Sequence, residues 1–408
     1  MPKPAPHKWE FTPRFRSGAY SWKGSRLAAD RLKQAIVEIR TVAKMDSVLG
    51  GDGAIRLLSR LWPAFQYIDT SSGALGNATS NAVDTLVDLL VSAQAPMDTR
   101  RKWLDQLWEA VEQDGVGYLQ QAIDRWGELC VFKEIANEWI ERFIYTVRGI
   151  FSEPDDHSYF RGTSACLSCL IASGRNLEVL DLLALLHYKF WHYHKYGVAA
   201  LAKMGRIDEA IAYAQEGCGL SGSSMAADKT CEELLLSCGR DKEAYERFAF
   251  SANVCTTNLA TFRLIRKRYP NRNPESILRD LIVRSPGDEG RWFATAKELG
   301  QYKLALELVT SSPCDPKTLN RAARDFAEKN REFSLGAALA SLRWISKGYG
   351  YEITIGDAQE ACMYAVQAAD ALGRLDAAQR FAQELLDKDV TDSYLRKTII
   401  RCMRLPQQ

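Results

Sequence analysis

Residues 187–196, reading HYKFWHYHKY, hold three of the chain's five histidines and five aromatic rings. On a continuous helix His187, Trp191, His194 and Lys195 share one face, and Tyr188 and His192 lie on a neighbouring one. Such a face suits binding: rings stack on a base, sugar or peptide, while His187, Lys189, His192, His194 and Lys195 meet phosphate or carboxylate. The plainer reading makes Phe190, Trp191 and Tyr196 core residues and leaves the histidines in solvent. Metal chemistry is not expected, because histidine spacings of five and two do not converge on an ion from one helix. Cys166-x-x-Cys169 is a single pair beside Leu167 and Leu170, best read as buried thiol. No cofactor is expected either.

Two further groups carry polar chemistry. Asp69-Thr70-Ser71-Ser72-Gly73 sets a carboxylate and hydroxyls, Asp69 and Ser71 foremost, between two apolar segments. Capping of the following helix, with Gly73 in the turn, is the simpler account. Arg125-Trp126-Gly127-Glu128 offers an i, i+3 ion pair around Trp126, a grip for a partner if it borders a cleft. An enzyme would draw on Asp69, Arg125, Glu128 and His192. The chain lacks a G-x-x-x-x-G-K-[ST] loop, a G-x-S-x-G elbow, an H-E-x-x-H helix and a G-x-G-x-x-G turn, which points away from catalysis.

The elements that position these residues read as helices. No proline occurs between Pro154 and Pro270, and a helix interior tolerates proline only at a cost of about 3 kcal/mol. Apolar residues recur at three-and-four spacing in Leu27–Val42, Val83–Ser92, Arg101–Glu112 and Val131–Val147. Only Tyr351–Ile355 reads as a short strand.

From residue 156 onward a turn repeats. Gly174, Gly205, Gly239, Gly300 and Gly373 each close one apolar segment, four of them followed by arginine. Five residues later stand Val179, Ala210, Ala244, Ala305 and Ala378. The glycine spacings of 31, 34, 61 and 73 fit a period in the thirties, with Asn271 and Asn330 supplying the missing turns. That is the period of tetratricopeptide-type (TPR) helical hairpins. The expected fold is all-α: a basic, proline-containing leader at 1–26, a helical region at 27–155 and a TPR-like α-solenoid at 156–408.

Composition sets the bounds. Hydrophobic residues make up 46% and charged residues 25%, which excludes a disordered chain. The net charge of +2 exerts no general pull on nucleic acid or membranes, yet residues 1–45 hold ten Lys/Arg against Glu10, Asp30 and Glu38. Ten scattered cysteines suit reduced thiols. The N-terminus lacks the apolar core of a signal peptide, and no segment reaches the roughly 18 apolar residues of a membrane span. A cytoplasmic protein without a membrane partner is expected.

The runs Trp22–Arg26, Asp69–Gly73, Asp114–Tyr118, Arg125–Glu128, Gly162–Ala165 and Phe190–His192 together resemble a bacterial family of helical-repeat proteins, over about residues 20–385. The resemblance implies a cytosolic, TPR-like protein and carries no catalytic residues with it. The first functional expectation is therefore a non-enzymatic protein that binds a protein or peptide partner in a solenoid groove. The alternative is nucleic-acid binding through the basic N-terminus and the aromatic-histidine segment. An enzyme is the third reading.

Overall fold

The computed structural model describes residues 7–71, 73–153, 159–216, 224–390 and 392–405. Residues 1–6 of the leader and Ser72 of the polar loop lie outside these. Among the described residues 24 helices account for 74% of the chain and there is no strand. Tyr351–Ile355 instead bends into the helix Ile355–Ala371, whose start is fixed by a capping box between Thr354 and Asp357. The chain divides into two compact units, residues 1–227 and 228–408, so residue 155 falls inside the first.

All five glycines of the repeat have positive φ, from +65° at Gly373 to +86° at Gly174. The following N–H reaches back over the turn, as where Arg206 donates to Leu201 O at 3.0 Å while Gly205 donates to Ala202 O at 3.0 Å. This is the Schellman closure, which satisfies carbonyls that a helix end leaves open. A sixth copy, at Gly348, closes the helix Arg331–Ser346. The small residues five positions on are fully buried or nearly so, at 0–1% exposure. Asn271 and Asn330 are not in the left-handed region; Asn330 instead caps the next helix by accepting from Phe333 N.

The arginine after the glycine has its own task. Arg175, Arg206 and Arg240 each pair with a glutamate three residues on, Glu178, Glu209 and Glu243. Each pair brackets the first turn of the new helix, where a carboxylate meets the positive end of the helix dipole. In the second unit each long helix packs on the next and on the next but one: Pro316–Phe326, Arg331–Ser346, Ile355–Ala371, Leu375–Lys388.

The described part of the leader, from residue 7 on, is packed, although four prolines among the first thirteen residues suggest a flexible or extended segment. Trp9, Phe11, Phe15 and Tyr20 are buried, and Phe15 and Tyr20 pack on Phe65 at ring distances of 5.8 and 5.4 Å. Each such ring removes a large apolar area from water on packing, and Pro13, the one described proline of the leader, stands in the first turn of the short helix Thr12–Phe15. Arg100, 1% exposed, lies deeper in this unit. It donates to Leu90 O, Ala93 O and Leu129 O at 2.7–3.2 Å, so a buried cation meets carbonyls at two helix C-termini.

Candidate functional site

The aromatic-histidine segment is not one helix. Its helix begins at Trp191 and runs to Lys203, with Phe190 extended at the N-cap. His187, Tyr188, Lys189 and Phe190 precede it and are exposed. The single face expected for His187, Trp191, His194 and Lys195 therefore does not form. Tyr188 and Phe190 are 48% and 49% exposed, with ring centroids 6.1 Å apart. Lys189 between them pairs with Glu216 at 2.8 Å, which holds the Glu216 carboxyl below its ordinary range.

Beyond Phe190 the segment turns inward. His194 is 3% exposed and stacks on Tyr213 at 3.8 Å. Its Nε2 lies 2.5 Å from Tyr213 O; a carbonyl only accepts, so this nitrogen carries the proton. Burial lowers the pKa of His194 and pushes that of Tyr213 up to about 12. His192 is also lowered by burial, and its Nε2 lies 3.1 Å from Ser164 Oγ. Both imidazoles are therefore favoured in the neutral form.

Asp124 joins this segment to the Arg125 turn. Lys195 Nζ meets Asp124 Oδ2 at 2.6 Å, and Tyr196 OH and Gln120 Nε2 donate to Oδ1 at 3.2 and 2.9 Å. Tyr159 OH donates to Gln120 Oε1 at 2.9 Å. The next residue, Arg125, pairs with Asp88 at 2.8 Å and with Glu128 at 2.6 Å. It is the N-cap of the helix Trp126–Cys130, so Arg125 and Glu128 repeat the bracket seen at the glycine turns. Trp126 between them is fully buried against Trp108 and Trp139.

Asp69 sits in a turn of its own. It accepts from Ser71 N at 2.9 Å, and that bond lowers its pKa. Gly73 follows with φ of +67° and begins the helix Ala74–Ser92. Among the described residues no hydrogen bond or ion pair joins Asp69 to Arg125, Glu128 or His192. The structure thus brings His192, Lys195 and the Arg125 turn into one neighbourhood, with Asp69 and Ser71 in a separate turn.

Chemically, the neighbourhood is a fixed polar network with an exposed aromatic lip. Ser164 beside a neutral His192 has the elements of an activated hydroxyl. Ser164 is, however, only 2% exposed. Among the described residues no three His, Cys, Asp or Glu side chains form a group able to hold a metal ion.

Three clefts lie elsewhere. One of about 610 Å³ borders Trp9, Asp52, Arg56 and Glu109. In the second unit, clefts of about 410 and 690 Å³ share Tyr349 as a wall. Residues 187–195, Asp69 and Arg125 line none of these three.

Sequence reasoning missed Asp124, Gln120, Tyr159 and Ser164. Asp124 is 71 residues from Lys195, beyond any spacing rule. Ser164 stands in the Gly162–Ala165 run and Asp124 beside Arg125, the only signals available. Comparison with protein-family models gives no match, and comparison with curated protein sequences gives no significant one.

Proposed function

We propose that the chain is a non-enzymatic interaction protein, a TPR-like α-solenoid of the bacterial cytoplasm that holds a segment of a protein partner. The observation that carries this reading is the six-fold use of one helix–turn–helix closure, at Gly174, Gly205, Gly239, Gly300, Gly348 and Gly373. Stacked hairpins of this kind present extended surface rather than a closed pocket. The contact residues proposed are Tyr188 and Phe190, the exposed rings, with His187 and Lys189 beside them. Trp191, His192, His194 and Lys195 then serve as the rigid base that fixes the lip. An exposed aromatic pair on a fixed base loses little conformational freedom on binding, which favours affinity.

The test uses the full chain, immobilised and probed with a displayed peptide library. Selected peptides are expected to lose at least about tenfold in affinity against Tyr188→Ala/Phe190→Ala, about 1.4 kcal/mol, with the circular dichroism spectrum unchanged. Diethyl pyrocarbonate should modify His187 but spare His194, and bound peptide should protect His187. Peptides that bind the double variant as tightly as the parent would overturn the assignment of the lip.

A further inference from the structure

The helix Ser25–Met45 buries Ala28, Leu32, Ala35, Ile39 and Val42. At about 100° per residue, Arg26, Lys33, Arg40 and Lys44 then fall within about 40° of one another on the opposite side. All four are exposed. They form a line about 27 Å long at 1.5 Å per residue. Lys23 and Trp22 stand just before the helix, the tryptophan 65% exposed.

This line is not neutralised from within. Many arginines elsewhere pair with carboxylates, among them Arg101, Arg125, Arg175, Arg263, Arg268 and Arg374. Among the described residues, none of the nine Lys/Arg in 7–45 forms an ion pair. Glu38 has both carboxylate oxygens bonded to the N–H groups of Glu10 and Phe11. Asp30 is exposed on the same side and is the single acid facing the line from its own helix.

The arrangement also works against the helix that carries it. Arg26 occupies the first turn, which has no acidic residue, so a cation stands at the positive end of the dipole. Arg40 and Lys44 are like charges at i, i+4, a repulsive spacing. Helix stability accounts for Lys44, a cation in the last turn at the negative end of the dipole, but does not account for Arg26 at the N-terminus or for the Arg40–Lys44 spacing. A ligand that carries its own row of negative charge does.

We propose that this face binds single-stranded nucleic acid, with the four cations along the phosphate backbone and Trp22 stacked on a base. A narrow line of charge matches a linear polyanion, and an exposed ring at one end suits unpaired bases. This site is independent of the peptide lip described above.

The test is fluorescence anisotropy of a labelled single-stranded oligoribonucleotide with the full chain over a salt series. For single strands log K falls with log salt at about −0.7 per phosphate neutralised, so four contacts predict a slope of about −2.8. Lys33→Gln/Arg40→Gln should lower its magnitude by about 1.4. Arg40→Lys, which keeps the charge, should retain it, as should Lys303→Gln in the second unit. Trp22→Ala should weaken binding without changing the slope. Circular dichroism confirms folding, which these exposed substitutions leave intact. Absence of binding near 50 mM salt, or a slope unchanged in Lys33→Gln/Arg40→Gln, would overturn the proposal. So would sedimentation with phosphatidylserine vesicles in the absence of oligonucleotide binding, which would make the surface a lipid contact.

Discussion

In the first unit Trp108, Trp126, Trp139 and Phe143 meet at ring distances of 4.8–5.5 Å. In the second, the helices Pro316–Phe326, Arg331–Ser346 and Ile355–Ala371 bury Ala322, Ala323, Ala337, Ala338, Ala358, Ala361, Ala365 and Ala369. The difference lies in what each core packs around. Trp126 stands on the five-residue helix Trp126–Cys130, and Trp108 from Met97–Gln113 with Trp139 and Phe143 from Lys133–Ser152 surround it with large rings. Helices of 11, 16 and 17 residues pack ridge into groove, and small side chains let them approach. The glycine closure is common to both units. The turn is thus a module, while the core that surrounds it is not.

The largest expected effects test that contrast in opposite directions. Trp126→Ala empties a site that rigid rings cannot refill and should cost about 3–5 kcal/mol. The measurement is urea denaturation followed by far-UV circular dichroism; a loss under about 1 kcal/mol would mean that the ring cluster collapses freely. Ala365→Leu adds volume where two long helices already touch, and should cost about 1–3 kcal/mol by overpacking. A neutral Ala365→Leu would show slack in the alanine-lined interface and remove the distinction between the two cores.

The sequence made the shared module legible because both of its requirements are local. Positive φ demands glycine, and close approach demands a small residue five positions on, so both appear as residue types at fixed spacing. Asn271 and Asn330 failed because a left-handed turn is only one use of asparagine; Asn330 accepts from Phe333 N instead. The fold of the leader was hidden, since its prolines are a local signal and the packing of Phe15 on Phe65 is not. The same limit applies to the candidate site. Ring content marked residues 187–196, but the helix starts at Trp191 with no side-chain cap to announce it, and the Lys195–Asp124 pair depends on chain 71 residues away. Arg125 and Glu128 were visible as a pair, and their bracket role emerges only beside Arg175, Arg206 and Arg240.

The smallest effect bears most directly on whether the turn is a module. Gly205 in the first unit and Gly239 in the second have φ of +76° and +71°, and an added Cβ would meet nothing within 4 Å at either. The cost of alanine there comes from the backbone alone, about 1 kcal/mol, with no clash to relieve. Because surroundings do not enter, Gly205→Ala and Gly239→Ala should cost the same within the error of denaturation, despite their different cores. Gly149 supplies the control of opposite sign. It lies inside the helix Lys133–Ser152, with no positive φ and equally open space. There alanine removes unfolded-chain freedom and should stabilise by about 0.5–1 kcal/mol. Asparagine at 205 should cost less than alanine, since its side chain tolerates the left-handed region. If Gly205→Ala and Gly239→Ala differ by more than about 1 kcal/mol, the neighbours of each turn contribute to its strain. The closure would then be tuned separately in each unit, and the modular reading of the repeat would fail.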